Sequence, residues 1–204
     1  MIDTGDASDR VALEKALDQA MVTPENLKLV ILTHGDFDHA GNAAFLHKKY
    51  GVRIAMHTND SSMVERGDQN WNRKAKSDRI SFFGRMIIFI SSHFAKPIQF
   101  KTFKPDILLE DGQDLSEYGF DAKVLHLPGH SKGSIGILTA EGFLFCGDLL
   151  MNMVKPDLHF MIDDYADFTA SIEKLKKLNI KTVYPGHGKP FPMEQFIQGH
   201  RNLT

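Results

Sequence analysis

Four of the ten histidines in this chain of 204 residues follow predicted strands and lie beside or shortly before a glycine: His34, His39, His130 and His187. Asp148 has the same setting, because it follows a predicted strand and comes directly after Gly147. Glycine lets the backbone turn sharply and leaves room for a ligand beside such a side chain. Loops at strand ends are also where a rigid sheet usually presents its functional residues. The pattern therefore predicts a sheet whose loops carry a binding or catalytic site.

Apolar runs and helical periodicity alternate along the chain, which predicts an α/β fold with helices covering a sheet. The predicted helices span residues 8–20, 42–50 and 164–178. The predicted strands span residues 27–33, 52–56, 122–127, 135–139, 143–146 and 182–184. Ser8 or Asp9 is expected to cap the first helix.

The chain length suits one domain, residues 1–204, with a modest insertion. We assign residues 57–106 to this insertion and expect it to be mostly helical. Its apolar segment, residues 82–94, could form a lid over a pocket, a dimer face or an ordinary packed helix.

The densest group of chemically active residues is at 34–39, where four potential metal ligands fall within six residues before a predicted helix. Imidazole and carboxylate together suit zinc, and also iron or manganese. Asp36 or Asp38 alone could instead cap the helix that follows, and a single histidine beside glycine is usually an ordinary loop residue. The whole set favours a metal site, and its seven members are His34, Asp36, Asp38, His39, His130, Asp148 and His187. Seven ligands are enough for two divalent ions, and such a pair can hold a hydroxide at neutral pH.

Four segments resemble the successive motifs of the metallo-β-lactamase superfamily: residues 33–41 (THGDFDHAG), 127–134 (LPGHSKGS), 145–148 (FCGD) and 184–188 (YPGHG). Residues 2–5 (IDTG) resemble the family motif that precedes the first helix. The resemblance implies an αββα sandwich, with the metals at one edge between the two sheets.

The same resemblance implies a role for each ligand. His34, the residue at position 36 and His130 would hold one metal, and the second would be held by Asp38, His39 and His187, with Asp148 bridging the two. The expected function is hydrolysis of an ester, thioester, lactone or lactam by a metal-bound hydroxide, as in the glyoxalase II branch. Asp38 and Asp148 are the expected catalytic residues, because they would orient that hydroxide.

The chain departs from the family pattern at two places. Position 36 is Asp, where most of the family has His, and its extra negative charge is expected to lower the Lewis acidity of the metal and to favour iron or manganese. The flavodiiron branch has an acidic residue here. Also, the family normally has two or three strands before the Asp-Thr-Gly motif, so the first sheet is expected to be shortened. Either a partner subunit covers its exposed edge or the chain is a shortened product, and our hypothesis is a homodimer.

Composition limits the partners. The net charge of −2 offers no general attraction to nucleic acid or anionic lipid, so a small-molecule substrate is expected. A single cysteine, the absence of a signal-peptide pattern and the absence of an 18-residue apolar run favour a soluble cytoplasmic protein. Cys146 is expected to be a small core residue, and His57 and His159 are expected to be ordinary loop residues, although both could lie near the pocket.

Three other functions remain open at this stage. The first is a di-iron protein with oxygen, sulfur or electron-transfer chemistry, which Asp36 favours and the lack of a flavin or rubredoxin-like segment disfavours. The second is a nuclease of the same fold, which the near-neutral charge disfavours. The third is a non-catalytic metal-binding or interaction module.

Overall fold

Two β-sheets that face each other form the centre of the protein, in a computed structural model that describes residues 1–74, 79–80 and 100–200. The first sheet contains three parallel strands, β1 (Leu29–Ile31), β2 (Arg53–His57) and β4 (Ile107–Leu109), in that order. The second sheet contains five strands, β5 (Ala122–His126), β6 (Ile135–Thr139), β7 (Phe143–Phe145), β11 (Thr182–Tyr184) and β13 (Phe191–Pro192). Their order across the sheet is β13-β11-β7-β6-β5.

Short strands complete the described part of the structure. Strands β8 (Leu150–Asn152), β9 (Asp157–Leu158) and β12 (His187–Gly188) pair in the order β12-β8-β9. Strand β3 (Arg79–Ile80) pairs in antiparallel orientation with β10 (Met161–Ile162). At the edge of the first sheet, Ile2 forms a parallel β-bridge with Ile31.

Six helices lie in the described residues. They are α1 (Arg10–Gln19), α2 (Phe37–Ala40), α3 (Ala43–Tyr50), α4 (Thr58–Arg66), α5 (Tyr165–Lys176) and α6 (Met193–Gly199). Helix α5 illustrates why the sequence folds this way, because Phe168, Ile172 and Leu175 recur at helical spacing and are buried. Asp164 accepts a hydrogen bond from the Asp167 amide and so caps this helix.

Three apolar layers separate the helices and sheets. One layer packs helices α1, α3 and α4 against the first sheet and includes Leu17, Leu46 and Val64. A second fills the space between the sheets, and a third packs α5 and α6 against the second sheet. This order of helices, sheet, sheet and helices confirms the expected αββα sandwich.

Two expectations need qualification. The side chain of Asp6, rather than Ser8 or Asp9, caps the first helical segment, because it accepts a hydrogen bond from the Ser8 amide at 2.6 Å and starts a short 3₁₀ turn before α1. The proposed insertion 57–106 includes α4, but residues 75–78 and 81–99, with the whole apolar segment 82–94, lie outside the described residues. The insertion therefore stays a prediction. No helix within the described ranges has the length and apolar composition of a membrane span.

Candidate metal centre

The loop after β1 contributes four of the predicted ligands. Strand β1 is buried along its whole length, which fixes the start of the loop against the core. His34 lies in the loop, while Asp38 and His39 lie in the short helix α2. Asp36 occupies the N-cap position of α2, but its side chain makes no capping hydrogen bond. Its carboxylate points elsewhere, so simple helix capping does not explain this residue.

The second sheet contributes the other three. His130 follows β5, Asp148 follows β7 and His187 follows β11. Strands β5 and β7 are both antiparallel to β6, and β7 is parallel to β11, so all three strands run in the same direction. Their carboxyl ends therefore meet at one edge of the sheet, and the three side chains arrive together.

Asp148 is the common neighbour of the four histidines. Its Oδ1 lies 3.2 Å from Nε2 of His39, and its Oδ2 lies 3.3 Å from Nε2 of His187. The same Oδ2 lies 3.8 Å from Nε2 of His130 and 3.9 Å from Nε2 of His34. The structure thus brings these predicted residues to one point between the sheets.

The two remaining carboxylates each lie close to histidines of the same group. Asp36 Oδ2 lies 3.2 Å from Nε2 of His130 and 3.6 Å from Nε2 of His34. Asp38 Oδ2 lies 3.2 Å from Nε2 of His187. All seven predicted residues therefore lie in one cluster, and their division between two metals stays a prediction.

Several of the buried atoms in this cluster have no hydrogen-bond partner. Among them are His34 Nε2, His39 Nε2 and Asp148 Oδ1. An unpaired buried polar atom costs free energy, so several around one point call for a shared partner. Two ligands bound to one zinc ion at tetrahedral angles are about 3.4 Å apart, which matches the spacing of 3.2–3.9 Å around Asp148. The donor set therefore fits divalent metal ions.

Contacts on the far side of the histidine rings, away from Asp148, orient these rings. His39 Nδ1 lies 2.9 Å from Asp3 Oδ2, and His130 Nδ1 lies 3.1 Å from the Met161 carbonyl oxygen. The Thr33 hydroxyl donates to Asp3 Oδ2 and lies 3.0 Å from Nδ1 of His34, so it can accept from this ring. When Nδ1 donates to such a partner, Nε2 keeps its lone pair for a metal.

Asp60 joins the two ligand loops and was not singled out by the sequence. It is fully buried, and its Oδ2 accepts from the Gly35 amide next to His34. The same carboxylate accepts from the Ser131 hydroxyl at 2.6 Å and from the Gly133 amide at 2.7 Å, in the loop that carries His130. Asp60 therefore holds a ligand loop of each sheet in register.

Arg73 is a second residue whose role the sequence did not indicate. Its Nη2 lies 2.7 Å from Asp36 Oδ1, and the two side chains are only 10% and 8% exposed. Burial alone raises the pKa of Asp36, but the Arg73 guanidinium and His34 outweigh it and hold the pKa well below its usual value. Since Arg73 offsets the charge of Asp36, the expected loss of Lewis acidity at this position is smaller than the sequence indicates.

The structure corrects the expectation that His159 is an ordinary loop residue. Its side chain is buried, and its Nε2 lies 3.2 Å from Asp148 Oδ2. Burial lowers the pKa of this imidazole to about 3, so the ring is neutral. The spacing of the sequence motifs gave no sign of this contact. His57 lies elsewhere, stacked on His126 with ring centroids 4.1 Å apart.

The charges within the centre favour cations. Burial raises the pKa of Asp148, but the nearby imidazoles, His39 first, hold it well below its usual value. Burial lowers the pKa of His39, yet Asp148 and Asp3 together raise it well above its usual value. Hydrogen bonds to Asp148 and Asp38 raise the pKa of His187 to about 10. The carboxylates therefore attract protons, and metal ions would compete with those protons for the same nitrogens.

Cys146 takes no part in this cluster. Its side chain is buried in the apolar layer outside the second sheet. Burial raises the pKa of the thiol to about 12, so it stays protonated and unreactive at neutral pH. This agrees with a role as a small core residue.

The comparison with protein families identifies the class. Residues 1–187 match the model of the Metallo-beta-lactamase superfamily, and the protein belongs to that superfamily.

Curated relatives carry hydrolase names. Hydroxyacylglutathione hydrolase GloC of Haemophilus influenzae is 32% identical over 167 residues, which cover 80% of this chain and 69% of the relative. Acyl-coenzyme A thioesterase MBLAC2 of Gallus gallus is 28% identical over 175 residues, which cover 83% of this chain and 60% of the relative. The chain thus matches about 60–70% of the length of these relatives. These names and the histidine–aspartate cluster support a metal-dependent hydrolase.

Solved structures also support the assignment to this superfamily. BLEG-1, a B3 metallo-beta-lactamase, superposes with a TM-score of 0.69 at 26% identity, covering 100% of this chain and 87% of that one. TTHA1623, solved in a di-iron-bound form, superposes with a TM-score of 0.66 at 25% identity, covering 97% of this chain and 85% of that one.

Proposed function

We propose that the protein is a hydrolase that uses two divalent metal ions, with zinc as the first candidate. His34, Asp36 and His130 would hold one ion, while Asp38, His39 and His187 would hold the other, and Asp148 would contact both. The observation that carries this proposal is the convergence of buried, unpaired ligand atoms on Asp148. When bound, such a pair of ions supplies Lewis acidity and makes hydroxide available at neutral pH.

The open side of the centre indicates where a substrate enters. The side chains of His187 and Asp38 are 35% and 29% exposed, whereas those of His34 and Asp148 are 1% and 4% exposed. A substrate carbonyl would therefore approach past Asp38 and His187. Asp38 on this side and the buried Asp148 behind it would orient the attacking water.

A thioester is the best-supported substrate class within the wider group of esters, lactones and lactams. Two relatives have names that describe thioester cleavage, one of a hydroxyacylglutathione and one of an acyl-coenzyme A. The net charge of −2 agrees with a small-molecule substrate rather than nucleic acid. The expected homodimer and cytoplasmic location stay predictions.

The direct test combines metal analysis with a substrate panel. Protein purified without chelators or a metal-affinity tag should contain about two zinc ions per chain and should hydrolyse glutathione or coenzyme A thioesters. His187→Gln should retain the fold while losing metal and turnover. His47→Gln is the matched control, because its imidazole is also partly exposed but lies outside the cluster. The proposal fails if no metal binds after reconstitution with zinc, iron or manganese, or if His187→Gln and His47→Gln behave alike.

A di-iron protein is the second candidate. The carboxylate of Asp36 is a harder ligand than imidazole and suits iron, and TTHA1623 was solved with two irons at 25% identity. Two irons per chain with a visible absorption band, and no thioester hydrolysis, would favour this candidate over the zinc hydrolase.

A further inference from the structure

His159 lies among the ligands proposed above without belonging to the set predicted from the sequence. It follows β9 and is 4% exposed. Its ring centroid lies 4.6 Å from that of His130 and 5.9 Å from that of His187. Its Nε2 lies 3.2 Å from Asp148 Oδ2, and one ligand atom each from His130, Asp148 and His159 fall within 4.8 Å of one another.

The orientation of the ring matches that of a ligand. The Met161 carbonyl oxygen lies 3.1 Å from Nδ1 of His130 and 3.3 Å from Nδ1 of His159. The same backbone carbonyl therefore lies near Nδ1 of both rings, while Nε2 of each ring lies within 3.8 Å of Asp148 Oδ2. A hydrogen bond from Nδ1 to a carbonyl is the usual support of a histidine that binds metal through its other nitrogen.

The Nε2 atom of His159 also has no partner of its own. It is buried without a hydrogen bond, although Asp148 Oδ2 is near enough in distance. His159 Nε2 and the Asp148 carboxylate therefore lie next to each other without a hydrogen bond, as two ligands of one ion would. Their separation of 3.2 Å is close to the spacing of about 3.4 Å between two ligands of a tetrahedral zinc.

The Asp36–Arg73 ion pair explains why a further imidazole would be useful here. Position 36 provides a carboxylate that already bonds Arg73 at 2.7 Å. A carboxylate shared with a guanidinium donates less charge to a metal. A neutral nitrogen from another element would restore the ligand strength on the His130 side.

We propose that His159 is a metal ligand through Nε2, at the ion that His130 and Asp148 contact. This inference rests on the two-metal site of the proposed function. The competing role is that of a positioning residue, in which Nε2 carries a proton and donates it to Asp148. The two roles differ in which ring nitrogen is protonated, because Nδ1 lies 3.3 Å from both the carbonyl oxygen and the amide nitrogen of Met161.

Cadmium-113 distinguishes the two roles, because scalar coupling passes only through a metal–ligand bond. The full chain, labelled with nitrogen-15 and loaded with cadmium-113, should show proton–cadmium correlations at the ring protons of His159 as well as at those of His130. His159→Gln serves to assign the signal. It should also weaken binding of one cadmium by more than about 100-fold, beyond the 10–100-fold typical for loss of an outer contact.

His47→Gln is the control, since it removes an imidazole outside the cluster and should change neither the correlations nor the affinity. Correlations at His130 and His187 without any at His159, together with nitrogen-15 shifts of a protonated Nε2, would overturn the inference while leaving the two-metal site intact. If no cadmium binds at all, the proposed function itself fails.

Discussion

Arg73→Met should strongly destabilise the protein when metal is removed. The Arg73 and Asp36 side chains are 10% and 8% exposed, and their charged atoms lie 2.7 Å apart. Removing the guanidinium leaves a buried carboxylate without its cation, which typically costs about 3–5 kcal/mol. For a protein of this size, that loss lowers Tm by about 6–20 °C.

The neighbouring residue provides a matched control. Lys74 Nζ lies 2.9 Å from Asp164 Oδ2, in a pair whose side chains are 39% and 31% exposed. Exposed pairs contribute about 0–1 kcal/mol, so Lys74→Met should change the free energy of unfolding far less than Arg73→Met.

Urea unfolding in the presence of a chelator measures both costs, and the same experiment with zinc adds a second check. A bound cation beside Asp36 would replace part of the lost charge, so the cost of Arg73→Met should shrink in zinc. The double variant Arg73→Met/Asp36→Asn should be more stable than Arg73→Met alone. An Arg73→Met cost no larger than that of Lys74→Met, or strictly additive costs in the double variant, would refute the reasoning.

Three further predictions concern the metal centre. His39 and His187 have raised pKa values, which keep them protonated near neutral pH, so metal binding should release about two protons. The affinity for metal should then rise roughly tenfold per pH unit for each proton released. Calorimetry in buffers of different ionisation enthalpy measures the number of protons released. Gly186→Ala should abolish metal binding, because an added Cβ would lie 2.6 Å from His39 Cε1 and would displace this ring. The metal content of the purified variant tests this prediction. Asp60→Asn should lower the free energy of unfolding by about 1–3 kcal/mol and should weaken metal binding. Urea unfolding measures the first effect and chelator competition the second.

Each of these predictions has a clear contrary result. Calorimetric heats that do not depend on the buffer would show that the two imidazoles are not protonated before binding. Gly199→Ala is the control for the glycine, because its added Cβ meets nothing within 4 Å, and equal metal content in both variants would contradict the prediction. Asp114→Asn removes a carboxylate from an exposed turn, so an equal loss of stability there would count against the role of Asp60.

Local sequence patterns were sufficient to predict an α/β fold and to locate the seven clustered residues, and the resemblance to the metallo-β-lactamase superfamily implied the αββα sandwich. The strand that precedes His34 is a continuous apolar run, and the residues after it form a compact motif. Strand 182–184 and helix α5 were also predicted close to their observed limits. The assignment of those seven residues as metal ligands stays a prediction.

The contacts that the sequence did not predict link distant positions. Arg73 and Asp36 are 37 positions apart, and Asp60 and Ser131 are 71 apart, with no periodicity or motif to connect them. The two-residue strand β9 before His159 and its partner β8 are too short for a hydrophobic pattern. Tertiary neighbours fix such segments, and a single sequence does not contain that information.

The proposed ligands come from both sheets, since His34 and His39 follow β1, while His130, Asp148 and His187 follow strands of the second sheet. Bound ions would therefore act as a further cross-link between the two halves, in addition to the hydrogen bonds that Asp60 makes to a loop of each sheet. A ligand that binds only the folded state adds about 2.7 kcal/mol of stability at one hundred times its Kd. The lifetime of this protein in a cell would then follow the metal supply, and metal scarcity would lower its abundance through faster degradation even at constant synthesis.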